Sequence, residues 1–173
     1  GQTSCKTCGA GSYRGSSSSC IECPPGHKCD GSSKIKCAAG KYGDANGQTS
    51  CKACVAGQYQ TVEGKAACDA CAAGKAGSGS DQTAALYCVD CAAGKYSGKG
   101  STSCTECAAG QVQGGTGSAS CGACSGSDEY QNEAGQTSCK TCGAGSYRGS
   151  SSSCIECPPG HKCDGSSKIK CAA

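Results

Sequence analysis

The sequence has no Phe, Trp or Met, and only nine Leu, Ile and Val residues among its 173 positions. A chain this poor in large apolar side chains buries too little surface to offset the entropy lost on ordering. The scarcity excludes a doubly wound enzyme, a helical bundle and any other globule built on one large apolar core. Without another source of order, this composition predicts disorder.

Charge is also sparse. Sixteen Lys and Arg residues stand against 13 Asp and Glu, scattered singly, for a formal net charge of +3. They form no basic stripe of the kind that binds nucleic acid, so we expect no nucleic-acid partner. No apolar run approaches the roughly 18 residues of a membrane span, and no signal peptide is recognisable. Since the chain opens at Gly1 and lacks Met, we interpret it as a window on a longer protein.

What the chain has in quantity is cysteine, with 22 residues. In a reducing compartment so many thiols would call for zinc, whose sites usually include histidine, and His27 and His161 are the only two. We therefore expect disulfides and an extracellular or cell-surface location.

The sequence is repetitive on two scales. Residues 135–173 are identical to residues 1–39, which gives an offset of 134. We therefore divide the chain into one full period, 1–134, and the start of the next identical period, 135–173.

Within the period lies a shorter unit, a C-x-x-C pair followed by two small residues and Gly, as in Cys54-Val55-Ala56-Gly57. A Tyr often follows two residues later. Eight units make one period, with the second Cys at positions 8, 23, 37, 54, 71, 91, 107 and 124. Two units depart from the rule: seven residues separate Cys29 from Cys37, and the Tyr after Cys124, Tyr130, comes one place late.

Hydrophobic periodicity is nearly absent, so we expect no helices. Crowded Gly and Ser predict short two-stranded ribbons joined by tight turns, with strands of about 2–4 residues. The fold class is small and disulfide-rich: an elongated tandem array of β-ribbon and loop modules. We expect contacts only between successive units, as in a solenoid. We also expect the ring of each unit's Tyr to cover the neighbouring disulfide; these residues are Tyr13, Tyr42, Tyr59, Tyr96 and Tyr147.

The run C-x-x-C-[AP]-[AP]-G-x-Y, followed by a Gly-Ser-Thr stretch ending in the next Cys, resembles the ephrin-receptor-like repeat. It is also similar to the first module of the cysteine-rich domains of tumour-necrosis-factor receptors. The resemblance covers essentially the whole chain. It is specific for module architecture but weak for function, because such modules occur in receptors, adhesion proteins and structural proteins alike.

The resemblance implies that the second Cys of one unit pairs with the first Cys of the next. The implied bridges are Cys8–Cys20, Cys23–Cys29, Cys37–Cys51, Cys54–Cys68, Cys71–Cys88, Cys91–Cys104, Cys107–Cys121, Cys124–Cys139, Cys142–Cys154 and Cys157–Cys163. Cys5 and Cys171 remain without a partner in this window. Around the enlarged gap, Cys29 pairing with Cys37 is an alternative.

Other chemistry is weakly indicated. C-x-x-C also occurs in redox pairs and zinc sites, but a redox pair needs a helix N-terminus, and recurrence in nearly every unit favours a scaffold. Carboxylates form no pair and no calcium loop, so we expect no enzyme activity, cofactor or metal. Ser16, Ser17, Ser18 and Ser19, repeated at 150–153, are candidate O-glycosylation sites or a bare loop.

Near-perfect periodicity provides uniform shape without a specialised site. It predicts an extracellular structural protein whose disulfide-stapled rod packs, end to end or laterally, with further copies of the same repeat. We expect the packed rods to form a fibre, a surface coat or a cell-surface hair. The alternative is the ligand-binding or adhesive stalk of a cell-surface receptor. Ice or mineral binding is disfavoured because unit lengths of 14 to 20 residues give no even ladder of Thr.

Overall fold

The computed structural model describes residues 7–15, 19–79, 83 and 87–172. Over these residues it contains no α-helix, and its regular structure is a series of two-stranded antiparallel hairpins, each formed by consecutive strands. The predicted class, small disulfide-rich β-ribbon modules without helices, is confirmed. Nearly all strands have the expected two to four residues; β17 has five because a bulge lies between Arg148 and Ser150.

The hairpins follow one another along the chain. They are β1 (Ser12–Arg14) with β2 (Cys20–Glu22), β3 (His27–Cys29) with β4 (Lys34–Lys36), β5 (Lys41–Tyr42) with β6 (Lys52–Ala53), β7 (Gln58–Tyr59) with β8 (Asp69–Ala70), β9 (Lys75–Ala76) with β10 (Val89–Asp90), β11 (Lys95–Tyr96) with β12 (Thr105–Glu106), β13 (Gln111–Val112) with β14 (Gly122–Ala123), β15 (Glu129–Tyr130) with β16 (Lys140–Thr141), β17 (Ser146–Ser150) with β18 (Ser153–Glu156), and β19 (His161–Cys163) with β20 (Lys168–Lys170).

Within the described residues, ten disulfides each close one loop, and we number these loops 1 to 10 in chain order. The pairs are Cys8–Cys20, Cys23–Cys29, Cys37–Cys51, Cys54–Cys68, Cys71–Cys88, Cys91–Cys104, Cys107–Cys121, Cys124–Cys139, Cys142–Cys154 and Cys157–Cys163. These are the ten pairs that the resemblance implies.

The enlarged gap after Cys29 holds a strand. The two cysteines of loop 2 are only six positions apart, which is too short for both strands of a hairpin. Strand β4 therefore lies outside the disulfide-closed loop, between Cys29 and Cys37. The chain reverses at Asp30, whose carboxylate accepts the amides of Ser32 and Ser33 at 2.9 and 2.7 Å. Cys37 is thereby delivered to Cys51 in loop 3.

The interior consists of disulfides and backbone. Among the described residues, twelve cysteines are buried, whereas aliphatic side chains such as Val55 and Val89 are 60% and 64% exposed. The buried polar side chains are Gln60, Ser97 and Gln131. Order in this chain therefore rests on covalent closure and hydrogen bonds rather than on an apolar core.

Backbone contacts divide the chain into two compact units, which are larger than the repeat units of the sequence. The first unit comprises Gly1–Cys71 and Gly77–Cys88, and the second unit comprises Ala72–Ala76 and Val89–Ala173. Both contain the same kind of module.

Candidate functional site

The feature common to the modules is a ladder of backbone hydrogen bonds between successive loops, built on the Gly three places after each second Cys. Gly57 has φ of +80°, a conformation that suits glycine. Its carbonyl accepts the amide of Cys71 at 2.8 Å and so closes its own hairpin. Its amide points the other way and donates to the carbonyl of Gly77, in the next loop, at 2.7 Å.

The residue whose carbonyl accepts this amide is the third residue after the Gly of the next repeat unit, as Gly77 is after Gly74. We call it the stacking residue. In loop 8 the accepting residue is Gln131. In the second unit, the amide of Gly94 donates to the carbonyl of Gln113 at 2.7 Å, and the amide of Gln113 donates to the carbonyl of Gln136 at 3.1 Å. Three consecutive loops, 6, 7 and 8, are joined through one residue. In the first unit, Gly26, Gly43 and Lys65 repeat this arrangement with 2.8 and 3.1 Å bonds.

Second-neighbour loops also touch, which corrects the expectation that only successive units are in contact. A Cβ placed on Gly94 of loop 6 would overlap the carbonyl oxygen of Gly135 in loop 8. In the first unit, Gly11 of loop 1 meets Gly47 of loop 3 in the same way. The short modules allow this approach because the glycines present no side chain, so backbone packs directly on backbone.

Three stacking residues are glutamines whose side chains brace their own loops. The Oε1 of Gln131 accepts the amide of Glu133 at 3.2 Å, and its Nε2 donates to the carbonyl of Ser138 at 2.9 Å. Gln60 and Gln113 make the same pair of bonds, to the residue two places on and the residue before the loop's closing Cys. The amide thereby substitutes for the apolar filling that the chain lacks.

Arg148 occupies the corresponding place in loop 9, three residues after Gly145, and its side chain makes a hydrogen bond that a glycine amide makes in other loops. The carbonyl of Cys107 accepts the amide of Gly135 from the next loop at 2.8 Å. In loop 9 the place of that Gly is taken by Ser150, four residues before the closing Cys154. The carbonyl of Cys124 instead accepts a hydrogen bond from the Nη2 of Arg148 at 2.7 Å. The Nε of Arg148 is buried without a partner.

Ion pairs decorate the outside of the hairpins. Lys75 and Asp90 are opposite each other on β9 and β10, with the ammonium 2.7 Å from the carboxylate. The ammonium of Lys52 lies 2.7 Å from Asp44, which lowers the pKa of that carboxyl and raises the pKa of Lys52. These groups are exposed, so they contribute little to stability.

Cys171 is exposed and outside any disulfide, as the resemblance implies, whereas Cys5 lies outside the described residues. Among the candidate glycosylation serines, Ser19 is exposed, and Ser16, Ser17 and Ser18 lie outside the described residues. In the second copy, Ser150 Oγ lies 3.2 and 2.8 Å from the hydroxyls of Ser152 and Ser153.

The two histidines occupy equivalent places and show no metal site. The Nδ1 of His27 lies 3.1 Å from the carbonyl of Pro25, and His161 repeats this contact with Pro159 at 3.2 Å. Within the described parts of the chain, no group of three or more His, Cys, Asp or Glu residues is placed to hold a metal ion.

Sequence reasoning missed the stacking residues. Gln60, Ser97 and Gln131 are 3%, 2% and 2% exposed, yet they are polar and vary from unit to unit. The sequence did contain a signal for this position. The sixth residue after each second Cys of the period is Arg, Cys, Gly, Gln or Ser and never an aliphatic residue, and in loop 8 the corresponding residue is the seventh. Only the structure shows that this place faces two neighbouring loops.

No protein-family model and no curated protein matches the chain. The class of protein therefore rests on the fold itself: a disulfide-rich chain of tandem β-hairpin modules. Its many disulfides are typical of an oxidising, secreted or extracellular environment. No helix in the described parts of the chain is long and apolar enough to cross a membrane.

Proposed function

We propose that this chain is an extracellular structural protein, a disulfide-stapled rod or filament of the ephrin-receptor-like kind, whose partners are further copies of the same repeat. Identical loops joined by the same hydrogen bonds favour uniform extension over a specialised active centre. O-linked sugars on the serine loops are compatible with this role.

The observation that carries the proposal is one backbone contact that recurs from loop to loop. Gly26 is buried, donates its amide to the carbonyl of Gly43 in the next loop at 2.8 Å, and lies against the carbonyl of Gly64 two loops on. Gly94 makes the same hydrogen bond to Gln113 at 2.7 Å. Each loop thus receives the next one through the same backbone atoms, and such a repeated contact favours extension by further copies.

The experiment is imaging and small-angle scattering of the oxidised chain. A compact globule of this length would have a radius of gyration of about 16 Å. We expect a clearly larger value and elongated particles with a regular axial repeat under non-reducing conditions. The same sample treated with thiol reductant is the control and should lose the repeat. A value near 16 Å with compact particles would contradict the proposal.

A further inference from the structure

A cavity of about 430 Å³ lies beside the hairpins β3–β4 and β5–β6 in the first unit. Its lining combines positive charge with a small apolar wall and a hydroxyl: Lys28, Lys36, Lys41, Ile35, Ala38 and Ser50. The volume is within the range of sites for small organic ligands and exceeds what a bare inorganic ion requires.

Two lysines near the cavity already have partners. Lys34 places its ammonium 5.0 Å from the ring centre of Tyr13, and Lys52 is paired with Asp44. Within the described parts of the chain, no carboxylate oxygen lies within 4.0 Å of the ammonium groups of Lys28, Lys36 or Lys41. Three lysines thus line one cavity without a carboxylate partner, and a bound anion would supply the missing opposite charge.

The nearest acidic side chain on the same hairpin is already engaged. The carboxylate of Asp30 accepts the amides of Ser32 and Ser33, so its hydrogen-bonding capacity is directed at its own turn. Lys28 exerts only a minor attraction on it. Lys36 is placed by packing, because its aliphatic stem lies against Gly64 of loop 4, 3.4 Å from that residue's Cβ position.

We propose that this cavity binds an anionic sugar, with a sulfate or carboxylate group between the three ammonium groups and the sugar ring against Ile35 and Ala38. Ile35 is 43% exposed and offers an apolar surface for the ring's C–H face. The hydroxyl of Ser50 supplies a hydrogen bond to the ring. Lysine acts as a point charge without a fixed fork, so the site accepts either anionic group. This site is independent of the structural role proposed above.

The chain contains its own control for the proposal. Lys162, Ile169 and Lys170 in the second copy are identical in sequence context to Lys28, Ile35 and Lys36. Residues 135–173 include no counterpart of Lys41 or Ser50, so Lys170 lacks two of the residues that line the cavity beside Lys36. A substitution at Lys36 can therefore be compared with the same substitution at Lys170.

The experiment uses the oxidised full chain, with binding followed by calorimetry and backbone amide chemical shifts at low salt. The probes are a sulfated uronic-acid disaccharide, its unsulfated form and inorganic sulfate. We expect at least one disaccharide to bind more tightly than inorganic sulfate and to shift the amides of Lys36 and Lys41. The two disaccharides distinguish a sulfate-selective site from a carboxylate-selective one.

Lys36→Gln and Lys41→Gln should each weaken disaccharide binding about fivefold, as expected for the loss of one partly exposed charge contact. The matched control, Lys170→Gln, should leave binding unchanged. These side chains are exposed or line the cavity, and intact disulfides, checked by mass, will verify folding of each variant. Equal weakening by Lys36→Gln and Lys170→Gln, tighter binding of inorganic sulfate, or no binding of either disaccharide would each overturn the proposal.

Discussion

The buried amide of Gln131 offers the sharpest test of how these loops hold together. The residue joins loop 8 to both neighbours: its carbonyl accepts the amide of Gly110 at 2.7 Å, and its amide donates to Ser151 at 2.8 Å. Its side chain braces loop 8 with two further hydrogen bonds and is almost fully buried. Gln131→Ala removes that brace and leaves a void, but it keeps the backbone bonds.

The expected cost follows from those contacts. Two net hydrogen bonds at about 1 kcal/mol each, plus an incompletely collapsed void, amount to about 2–3 kcal/mol in the local opening free energy. Because 1.4 kcal/mol is a factor of ten, the amides of Gly110 and Gln131 should exchange with solvent about 30-fold faster or more. Gln131→Met keeps the volume but loses both hydrogen bonds, about 2 kcal/mol, so its acceleration should lie at the lower end of that range, about 30-fold.

Native-state amide hydrogen exchange on the oxidised chain measures this directly. The matched control is Gln136→Ala, since the Gln136 side chain makes only one long contact, 3.4 Å to the carbonyl of Ala134. That variant should change Gly110 exchange by less than about threefold, because it removes little net hydrogen bonding. If Gln131→Ala leaves Gly110 exchange within the same limit, the buried amide is not what braces the loop, and the reasoning fails.

Other expectations concern the disulfides, the close glycine contacts and pH. Full reduction without denaturant should abolish hydrogen-exchange protection throughout, since closing each loop contributes about 2–3 kcal/mol and no apolar core remains; persistent protection after complete reduction would contradict this. Gly94→Ala should destabilise the second unit strongly, because a methyl group there overlaps the carbonyl of Gly135. Gly98→Ala should be nearly neutral, since its methyl group would meet only the Ser101 hydroxyl, at an ordinary contact distance of 3.9 Å. Equal thermal unfolding temperatures for the two variants would refute the tight approach. The amides of Ser33 and Ser32 hold the pKa of Asp30 below its ordinary value of 3.8. The stabilisation of the turn by the carboxylate is therefore present above the unfolded pKa and is lost as pH falls through the lower folded pKa. An NMR titration of the carboxyl group with a midpoint at or above 3.8 would be the contrary result.

Local features of this protein were readable from the sequence because each depends on residues close together in the chain. The Gly three places after the second Cys of the repeat unit predicts a turn, and Gly57 adopts a positive φ at this position. The absence of helices and the short ribbons followed from missing periodicity and crowded small residues. The shifted Tyr130 marked loop 8, where the stacking residue also comes one place later, at Gln131.

Features that depend on which loops meet were not readable. Arg148 resembles an exposed basic residue in the sequence, yet it supplies the hydrogen bond that a glycine amide supplies elsewhere. The expectation of contacts between successive units alone was wrong because glycines at the contact let the backbones of second-neighbour loops meet. Gly11 meets Gly47 in this way.

The sequence by itself therefore determined the module, its repeat and its dependence on covalent closure, since composition leaves no other source of order. Tertiary structure alone decided what fills the interior and what remains outside. Gly26 is buried because its amide meets Gly43 and its Cβ position meets the carbonyl of Gly64, in the next two loops of the chain. Burial is a property of the neighbours that later loops provide, and only stacking brings those neighbours into place.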